Sequence, residues 1–289
     1  MKNIQTMKKI DLRLWAIVLV IIISMGTTFA QENEKEKKPV RAPFESSLLI
    51  DNQTIIVPTA KTLQFDMIHR FGVIENGISD FYGLYAPGAN IRLGLTYSVV
   101  ENLAVGIGFT KLNKYVDVNL KYAILKQTRD WSMPINLTYY GNATIDTRNG
   151  NNFEEEVHRG SFYHELLIAT RFGPKLSLQV SPSYAHFNAV DSLMSNDIIA
   201  VGLSGRYKFS AQSSVIFEFN QQITTHDDIV DVKPNIGIGI EVSTSSHAFQ
   251  MFISTFQGIL PQHNLVFSEN EFDTSGILIG FNITRLWNF

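Results

Sequence analysis

The amino-acid sequence predicts an all-β protein: an antiparallel, up-and-down transmembrane β-barrel of about twelve strands. Three observations support this fold, namely repeated alternation of apolar and polar residues, connections of alternating length, and an aromatic chain end. The alternation is clearest in the stretch 90–110. Odd positions from Ile91 to Val99 are apolar or aromatic, whereas even positions from Asn90 to Ser98 are small or polar. A period of two residues is typical of a strand whose two faces meet different environments.

The alternation resumes after a short turn and predicts a hairpin. From Leu103 to Thr110, apolar side chains again occupy one face and small or polar residues the other. Two strands of about ten residues joined by a turn of two or three residues form a β-hairpin. The apolar face packs against a second sheet in a soluble sandwich and against lipid in an outer-membrane barrel.

The rest of the chain decides between these environments by the order of its connections. The connections after the even-numbered predicted strands are short, and those after the odd-numbered strands are long except the third. Short turns at one rim, long loops at the other and both termini at the short-turn rim are typical of an outer-membrane barrel. The predicted strands cover residues 62–71, 90–99, 103–110, 116–124, 132–143, 162–172, 176–187, 199–209, 215–220, 236–242, 247–256 and 276–289.

The amino-acid composition limits the classes of protein to which the chain can belong. The chain has 289 residues, no cysteine, 18% charged residues and a formal net charge of −3. The absence of cysteine excludes both a disulfide framework and a lipoprotein attachment site. Nucleic-acid binding requires a basic patch, which the sequence lacks. We expect no cofactor, because no phosphate loop, metal-binding helix or dinucleotide motif is present.

The first sixty residues divide into two segments that precede the barrel. Basic residues, an apolar run of about ten residues and a small residue two positions before Ala30 predict a signal peptide at residues 1–30, cleaved after Ala30. Residues 31–60 begin with a mixed charge run and contain three prolines, which predicts a polar periplasmic lead-in. Two interpretations of that segment stay open: a disordered tail, or a lead-in with a short part at Ser47–Ile56 that enters the barrel mouth. The barrel domain is expected at residues 61–289.

The chain end predicts the location of the protein. Trp287 and Phe289 alternate up to the C-terminus, and aromatic residues at the ends of strands are frequent in outer-membrane barrels. We expect these two residues to serve as the assembly signal for the barrel assembly machinery. The expected surroundings are outer-membrane lipid and lipopolysaccharide of a Gram-negative bacterium.

Three motifs carry a family resemblance. They are the stretch Phe65–Gly72, the run Asp80–Leu84, and the stretch Gly88–Leu95. On these motifs the sequence resembles the β-barrel proteins of the Bacteroidetes that are grouped as the domain of unknown function DUF5777. The resemblance covers most of the mature chain and implies an outer-membrane-type barrel. It implies no activity, substrate or site residue.

If the apolar faces meet lipid, the opposite faces line the lumen, and acidic and basic residues are nearly balanced there. Charges inside a barrel must pair, which leaves two interpretations: a narrow polar path whose charges select a small solute, or a salt-bridged interior that conducts nothing. The charged residues predicted to line the lumen are Asp66, Arg70, Arg92, Asp117, Lys121, Glu165, Arg171, Arg206, Lys208, Glu218 and Glu241.

Metal binding and enzymatic catalysis have weaker support in the sequence. His158 near a run of glutamates, and His226 before two aspartates, lie on acidic loops without a metal-ligand spacing. Ser161 with His164, and Ser245 and Ser246 with His247, are serine–histidine neighbours without an evident third member. We therefore expect neither a metal site nor an enzyme.

Three functions are compatible with these patterns. The first is a narrow channel or facilitator for a small solute. The second is a non-conducting barrel that binds a partner or ligand through loops 72–87, 144–158 and 257–274. The third is a soluble periplasmic lipid-binding barrel, which requires the reverse arrangement of faces, with apolar side chains inside.

Overall fold

A computed structural model of the protein describes residues 38–86, 88–224, 226 and 232–289. Twelve antiparallel strands form one closed barrel, in which each strand pairs with its neighbours along the chain and the last strand pairs with the first. The predicted fold is therefore confirmed. The barrel strands are β3 (Thr62–Val73), β4 (Asn90–Val100), β5 (Leu103–Thr110), β6 (Tyr115–Leu125), β7 (Asn136–Asp146), β8 (Gly160–Phe172), β9 (Leu176–Phe187), β10 (Asp197–Lys208), β11 (Ser213–Gln222), β12 (Asn235–Ser243), β13 (His247–Ser254) and β14 (Leu278–Asn288).

Three further elements do not belong to the wall. Strands β1 (Leu48–Leu49) and β2 (Asn52–Gln53) pair with each other in a two-residue hairpin. Helix α1 (Pro261–Phe267) lies in the connection between β13 and β14. No helix among the described residues is long and apolar enough to cross a membrane.

The two faces of the wall differ as the alternation predicts. Leu95 on β4 and Phe109 on β5 point outward and are 46% and 53% exposed. Gln64 and Asp117, on β3 and β6, point inward and are buried. Because the apolar face is the outer one, the soluble lipid-binding barrel with reversed faces is excluded.

The connections are sorted by length between the two ends of the barrel. One end, the short-turn rim, carries the connections 101–102, 173–175, 209–212 and 244–246 and also the start of β3 and the end of β14. The other end, the long-loop rim, carries the connections 74–89, 147–159, 188–196, 223–234 and 255–277 together with the short connection 111–114.

One connection of the short-turn rim is longer than predicted. Strand β7 begins at Asn136 rather than Ser132, so residues 126–135 form the connection. Pro134 has no amide N–H to donate to a neighbouring strand. The backbone instead turns back on itself, with the Thr128 N–H donating to the Met133 carbonyl at 2.9 Å.

Candidate functional site: the filled barrel interior

The N-terminal segment enters the barrel from the short-turn rim and occupies its interior. We call residues 43–58 the plug. Most of its side chains are buried, including Phe44, Leu49 and Ile50, which belong to a cluster of apolar side chains shared with the wall. The sequence predicted a polar lead-in here, with Ser47–Ile56 at the barrel mouth at most. The structure carries the segment deep into the interior, because its apolar side chains find buried partners there.

Side chains of the wall satisfy the backbone of the plug. Since the plug hairpin has only two short strands, most of its N–H and C=O groups need other partners once they leave water. Gln250 accepts from the Ile50 N–H at 3.1 Å and donates to the Leu48 carbonyl at 2.8 Å. Gln179 does the same for Ile55 and Gln53, at 3.1 and 2.7 Å.

Two further wall residues bind the plug by charge-assisted hydrogen bonds. Glu218 Oε2 accepts from the N–H groups of Asp51 and Asn52, at 3.0 and 2.9 Å. Lys121 Nζ donates to the Ser47 carbonyl at 2.9 Å. Such bonds are stronger than neutral ones, and together they hold the turn and the first arm of the hairpin.

Ion pairs fix the plug at its tip and at its base. At the tip, Arg70 Nη2 lies 2.5 Å from Asp51 Oδ1, and both side chains are buried. At the base, Glu45 Oε1 lies 2.8 Å from Arg206 Nη2 and 3.0 Å from Lys208 Nζ. The plug is thus tied by its two acidic residues to three basic residues of the wall.

The surroundings of the Glu45 carboxyl favour its ionised form. Partial burial on its own raises the pKa of Glu45, but the hydrogen bond from Lys208 and the charge of Arg206 outweigh it and hold the pKa below its usual value. The base contact is therefore an ionic one at neutral pH.

The connection 255–277 fills the interior from the long-loop rim. Helix α1 buries Gln262, Asn264, Leu265 and Val266. Gln262 Nε2 donates to Asn142 and Thr144 of the wall, at 2.9 Å each. Asn264 donates to Asp51, so the helix meets the tip of the plug. Three loops were predicted to lie outside the barrel. Of these, the connection 255–277 folds into the interior over part of its length.

A second buried ion pair belongs to the wall alone. The Arg92 guanidinium binds the Asp117 carboxylate through two hydrogen bonds, at 2.8 and 2.7 Å. The pair passes over Gly108 on β5, where a Cβ atom would collide with Arg92 Nη2 and with Asp117 Oδ2. Gly108 is required here because only a residue without a side chain leaves room for the pair.

The predicted charged residues lie in two zones. Nine are buried on the inner side of the wall: Asp66, Arg70, Arg92, Asp117, Lys121, Glu165, Arg206, Glu218 and Glu241. Arg171 and Lys208 are at the short-turn rim. Arg171 donates to backbone carbonyls of that rim, including those of Gly173 at 2.8 Å and Arg41 at 3.2 Å. Lys208 binds Glu45 as described.

Sequence reasoning missed the neutral part of the interior. Gln179 and Gln250 each make two hydrogen bonds to the plug backbone, as Glu218 does. Both occupy inward positions of their strands, two residues from other buried inward positions, so the alternation alone was sufficient to find them. Leu167, Ile198 and Ile216 also point inward and are fully buried. Leu167 and Ile216 occupy the face predicted to be polar, and Ile198 precedes the predicted start of its strand at residue 199.

Little free space remains between the plug and one side of the wall. A cavity of about 30 Å³ lies between the plug and strands β3–β7, against Asp66, Arg92, Lys121 and Tyr140. That volume holds about two water molecules. Along this part of the wall the plug therefore leaves room for water molecules, whereas a larger space of about 260 Å³ lies nearer the short-turn rim, between the plug and Ala123 and Thr138 of the wall.

The residues of the candidate metal and enzyme motifs that the structure describes lie apart or in turns. Among the described residues no group of three or more histidine, aspartate or glutamate side chains is placed to hold a metal ion, and the aspartates 227, 228 and 231 lie outside the described residues. Ser161 is buried on the inner face of β8, whereas His164 is exposed on the outer face of the same strand. Ser246 Oγ lies 3.1 Å from His247 Nδ1 in a turn of the short-turn rim.

The chain end lies at the short-turn rim. The Phe289 N–H donates to the Lys61 carbonyl at 3.2 Å, and Phe289 itself is 81% exposed. The Arg285 guanidinium lies 4.8 Å from the centre of the Trp287 ring. The role of Trp287 and Phe289 in assembly stays a prediction.

Solved structures with a similar fold include a porin and an outer membrane channel. The NanC porin is similar with a TM-score of 0.50 and 8% identity, over 78% of this chain and 99% of that one. The COG4313 outer membrane channel from Pseudomonas putida F1 is similar with a TM-score of 0.50 and 14% identity, over 80% of this chain and 97% of that one. At these identities the likeness concerns the fold. No curated protein matches the chain.

The family is shown by a match over almost the whole described chain. The model of the membrane-bound β-barrel domain DUF5777 matches residues 44–287. The match begins inside the plug and ends in the last barrel strand, so it includes both the wall and the segment that fills it. The protein belongs to the DUF5777 family of membrane-bound β-barrel domains.

Proposed function

We propose that this protein is an outer-membrane channel for small polar solutes and that the described conformation is its closed state. The barrel wall is the conducting element, and the plug together with the connection 255–277 fills it in the closed state. The proposal is supported by the polar inner face, by the closure of the wall on itself, and by the fold shared with outer-membrane channels.

The observation that carries the proposal is that the plug contributes no strand to the wall. Strand β14 pairs directly with β3, through register partners such as Thr284 and Asp66. The plug is bound through side chains of the wall, by the bonds of Gln179, Gln250 and Glu218 described above. Its withdrawal therefore breaks side-chain contacts but no strand pairing of the wall, and leaves a closed barrel in which the connection 255–277 occupies the long-loop end of the interior.

The charges predict which solutes the open lumen favours. Between residues 43 and 58 the plug contains two acidic residues, Glu45 and Asp51, and no lysine or arginine. Its withdrawal deprives Arg70, Arg206 and Lys208 of these acidic partners. The open lumen thus gains positive charge relative to the closed one, and a ring of like charge favours the opposite ion. We expect a modest preference for anionic solutes.

The proposed outer-membrane location implies how the chain is exported, inserted and oriented. The chain is exported through the signal peptide 1–30, cleaved after Ala30, and residues 31–42 form the periplasmic lead-in to the plug. The barrel assembly machinery inserts it, with Trp287 and Phe289 as the assembly signal. Outer-membrane lipid and lipopolysaccharide surround the wall. The short-turn rim then faces the periplasm, and the plug enters from that side. We assign no catalytic role.

Planar lipid bilayers test the proposal. Mature wild-type protein is compared with a variant that lacks residues 31–57, both checked for folding by heat-modifiable mobility in gel electrophoresis. We expect rare, brief openings from wild type and steady, weakly anion-selective current from the truncated variant. A truncated variant that folds and inserts into the bilayer but carries no current would contradict the channel proposal.

A second candidate is a non-conducting barrel that binds a partner through its outer loops. The connection 74–89 presents Ile78 and Tyr85 to solvent at 80% and 78% exposure, together with Phe81. Phe81 and Tyr82 also adopt the left-handed backbone region, with φ of 55° and 56°, which is uncommon for bulky residues. Silence of the truncated variant in bilayers would favour this candidate.

A further inference from the structure

The outer face of strands β7–β10 carries a row of aromatic and ionisable side chains that begins at the long-loop rim with Asp197 and ends at Tyr139, in the half of β7 nearer the short-turn rim. We call it the outer ribbon, and it consists of Tyr139, Phe162, His164, Tyr184, His186 and Asp197. The strand register brings these residues together, since His164 lies opposite Tyr184, Phe162 opposite His186, and His186 opposite Asp197.

The polar groups of the outer ribbon bind one another. The Tyr184 hydroxyl donates to Asp197 Oδ1 at 2.5 Å, and His186 Nδ1 lies 2.8 Å from the same oxygen. The Tyr139 hydroxyl lies 2.7 Å from His164 Nδ1. Asp197 begins β10 at the long-loop rim, near the membrane interface, where a charge on the outer face of a barrel costs little.

The rings of the outer ribbon form stacked pairs that leave their outer faces open. The ring centres of His164 and Tyr184 are 6.2 Å apart, and those of Phe162 and His186 are 6.4 Å apart. Asp197 is 61% exposed, so its carboxylate is accessible between these rings and the rim. An accessible carboxylate beside aromatic faces is an environment that attracts an ammonium group.

An apolar groove of about 830 Å³ leads away from this row along the outer wall. It extends from Leu63 on β3 to Phe162 and His164 on β8, and Leu95, Val105 and Leu120 line it between. Ala143 on β7 provides little side-chain volume next to the outer ribbon, whereas the Tyr139 ring lies over Gly141. A groove of this length and polarity fits an acyl chain.

We infer that the outer ribbon and the adjoining groove form a binding site for a lipid whose headgroup carries an ammonium group. The headgroup lies against Asp197 and the rings of Tyr184 and Phe162, and one acyl chain lies in the groove. The choice of an ammonium headgroup rests on charge: the outer ribbon contains an exposed carboxylate and neither lysine nor arginine, and the Nδ1 atoms of its two histidines are already bonded within the ribbon. The site lies on the outer wall and does not depend on conduction through the lumen.

Lipid titration followed by native mass spectrometry tests the inference. Delipidated mature protein in mild detergent is titrated with dihexanoyl phosphatidylethanolamine and, separately, with dihexanoyl phosphatidylglycerol. We expect wild type to bind the ethanolamine lipid about five- to tenfold more tightly, the size expected of one ion pair and one cation–π contact at an exposed site.

Three variants separate headgroup recognition from general lipid adhesion. Asp197→Asn is expected to remove the preference while folding and weak binding persist. Ala143→Trp, which fills the groove, is expected to weaken both lipids alike. Asp273→Asn, an equal charge change on the connection 255–277 outside the outer ribbon, is the matched control and keeps the preference. Equal binding of the two lipids by wild type, an unchanged preference in Asp197→Asn, or a preference that appears only in a dimer of this chain would each overturn the inference.

Discussion

Two buried arginine–aspartate pairs inside the barrel look alike but join different parts of the molecule. Arg92 and Asp117 both belong to the wall, on β4 and β6, and their hydrogen bonds measure 2.8 and 2.7 Å. Arg70 belongs to the wall on β3, whereas its partner Asp51 belongs to the plug, at 2.5 Å. The first pair stabilises the wall, and the second holds the closed state. The same type of ion pair thus stabilises the barrel wall in one place and the docked position of the plug in the other.

The largest effect is expected from breaking the pair of the wall. Asp117→Asn leaves the Arg92 guanidinium buried without a counter-charge, in a site where it already lies close against Gly94 and Gly108. Loss of one partner of a buried pair costs about 3–5 kcal/mol. Urea unfolding in lipid vesicles should show a loss of this order in the free energy of unfolding. Open probability in bilayers should stay close to that of wild type, since the plug contacts remain.

The same substitution in the other pair should act on closure instead. Asp51→Asn removes the counter-charge of Arg70, but withdrawal of the plug lets water reach the guanidinium. The destabilisation is therefore relieved by opening rather than by unfolding. We expect the open probability to rise at least about tenfold, which corresponds to roughly 1.4 kcal/mol, with the free energy of unfolding of the barrel nearly unchanged. If Asp51→Asn destabilised the barrel as much as Asp117→Asn does, the two pairs would not differ in role.

The smallest effect is expected at the base of the plug, and it depends on pH. Because the pKa of Glu45 is lower in the docked plug than its usual value of 4.5, the carboxylate stabilises docking above that value. This contribution is lost as the pH falls through the lower pKa of the docked state. Current recorded while the plug side is acidified from about pH 6 should therefore increase below about pH 4.5. Since Glu45 is partly exposed, the change should be about 1 kcal/mol or less.

Glu45→Gln is the matched control for that pH response. The amide does not titrate, so its current at the starting pH should already equal that of acidified wild type, and acidification should add little. An equal response to acid in both proteins would assign the effect to another group.

The wall was predictable from the sequence because a strand pattern is local. The alternation in residues 90–110 fixes which side chains face lipid without knowledge of any partner strand. The even number of segments and the sorting of the connections then predicted closure and the two rims. The main error, the start of β7 at Ser132, concerns the few residues around Pro134, which has no N–H to pair with a neighbouring strand.

The filling of the interior was not predictable in the same way. The plug contains the apolar residues Leu48, Leu49, Ile50 and Ile55 without the period of a strand or helix, and its partners Gln250 and Asn282 lie two hundred or more positions away in the chain. Helix α1 has only seven residues and begins at Pro261 within a long loop. Both segments fold where they do because the barrel supplies buried partners, and such contacts leave no periodic pattern in the sequence.

The most direct test of the closed-state assignment is a reversible lock on the plug. Ser47 of the plug and Gln64 of the wall are in contact, with Ser47 Oγ and Gln64 Nε2 2.6 Å apart, and the chain has no native cysteine. Cysteines at both positions, introduced in the Asp51→Asn background and joined by a short cleavable cross-linker, allow single-channel current to be recorded before and after reductant. The account predicts no current while the cross-link is intact and frequent channel openings after it is cleaved. Each single-cysteine variant should conduct both before and after reductant. Equal current before and after cleavage would show that solutes pass without movement of the plug and would contradict the account.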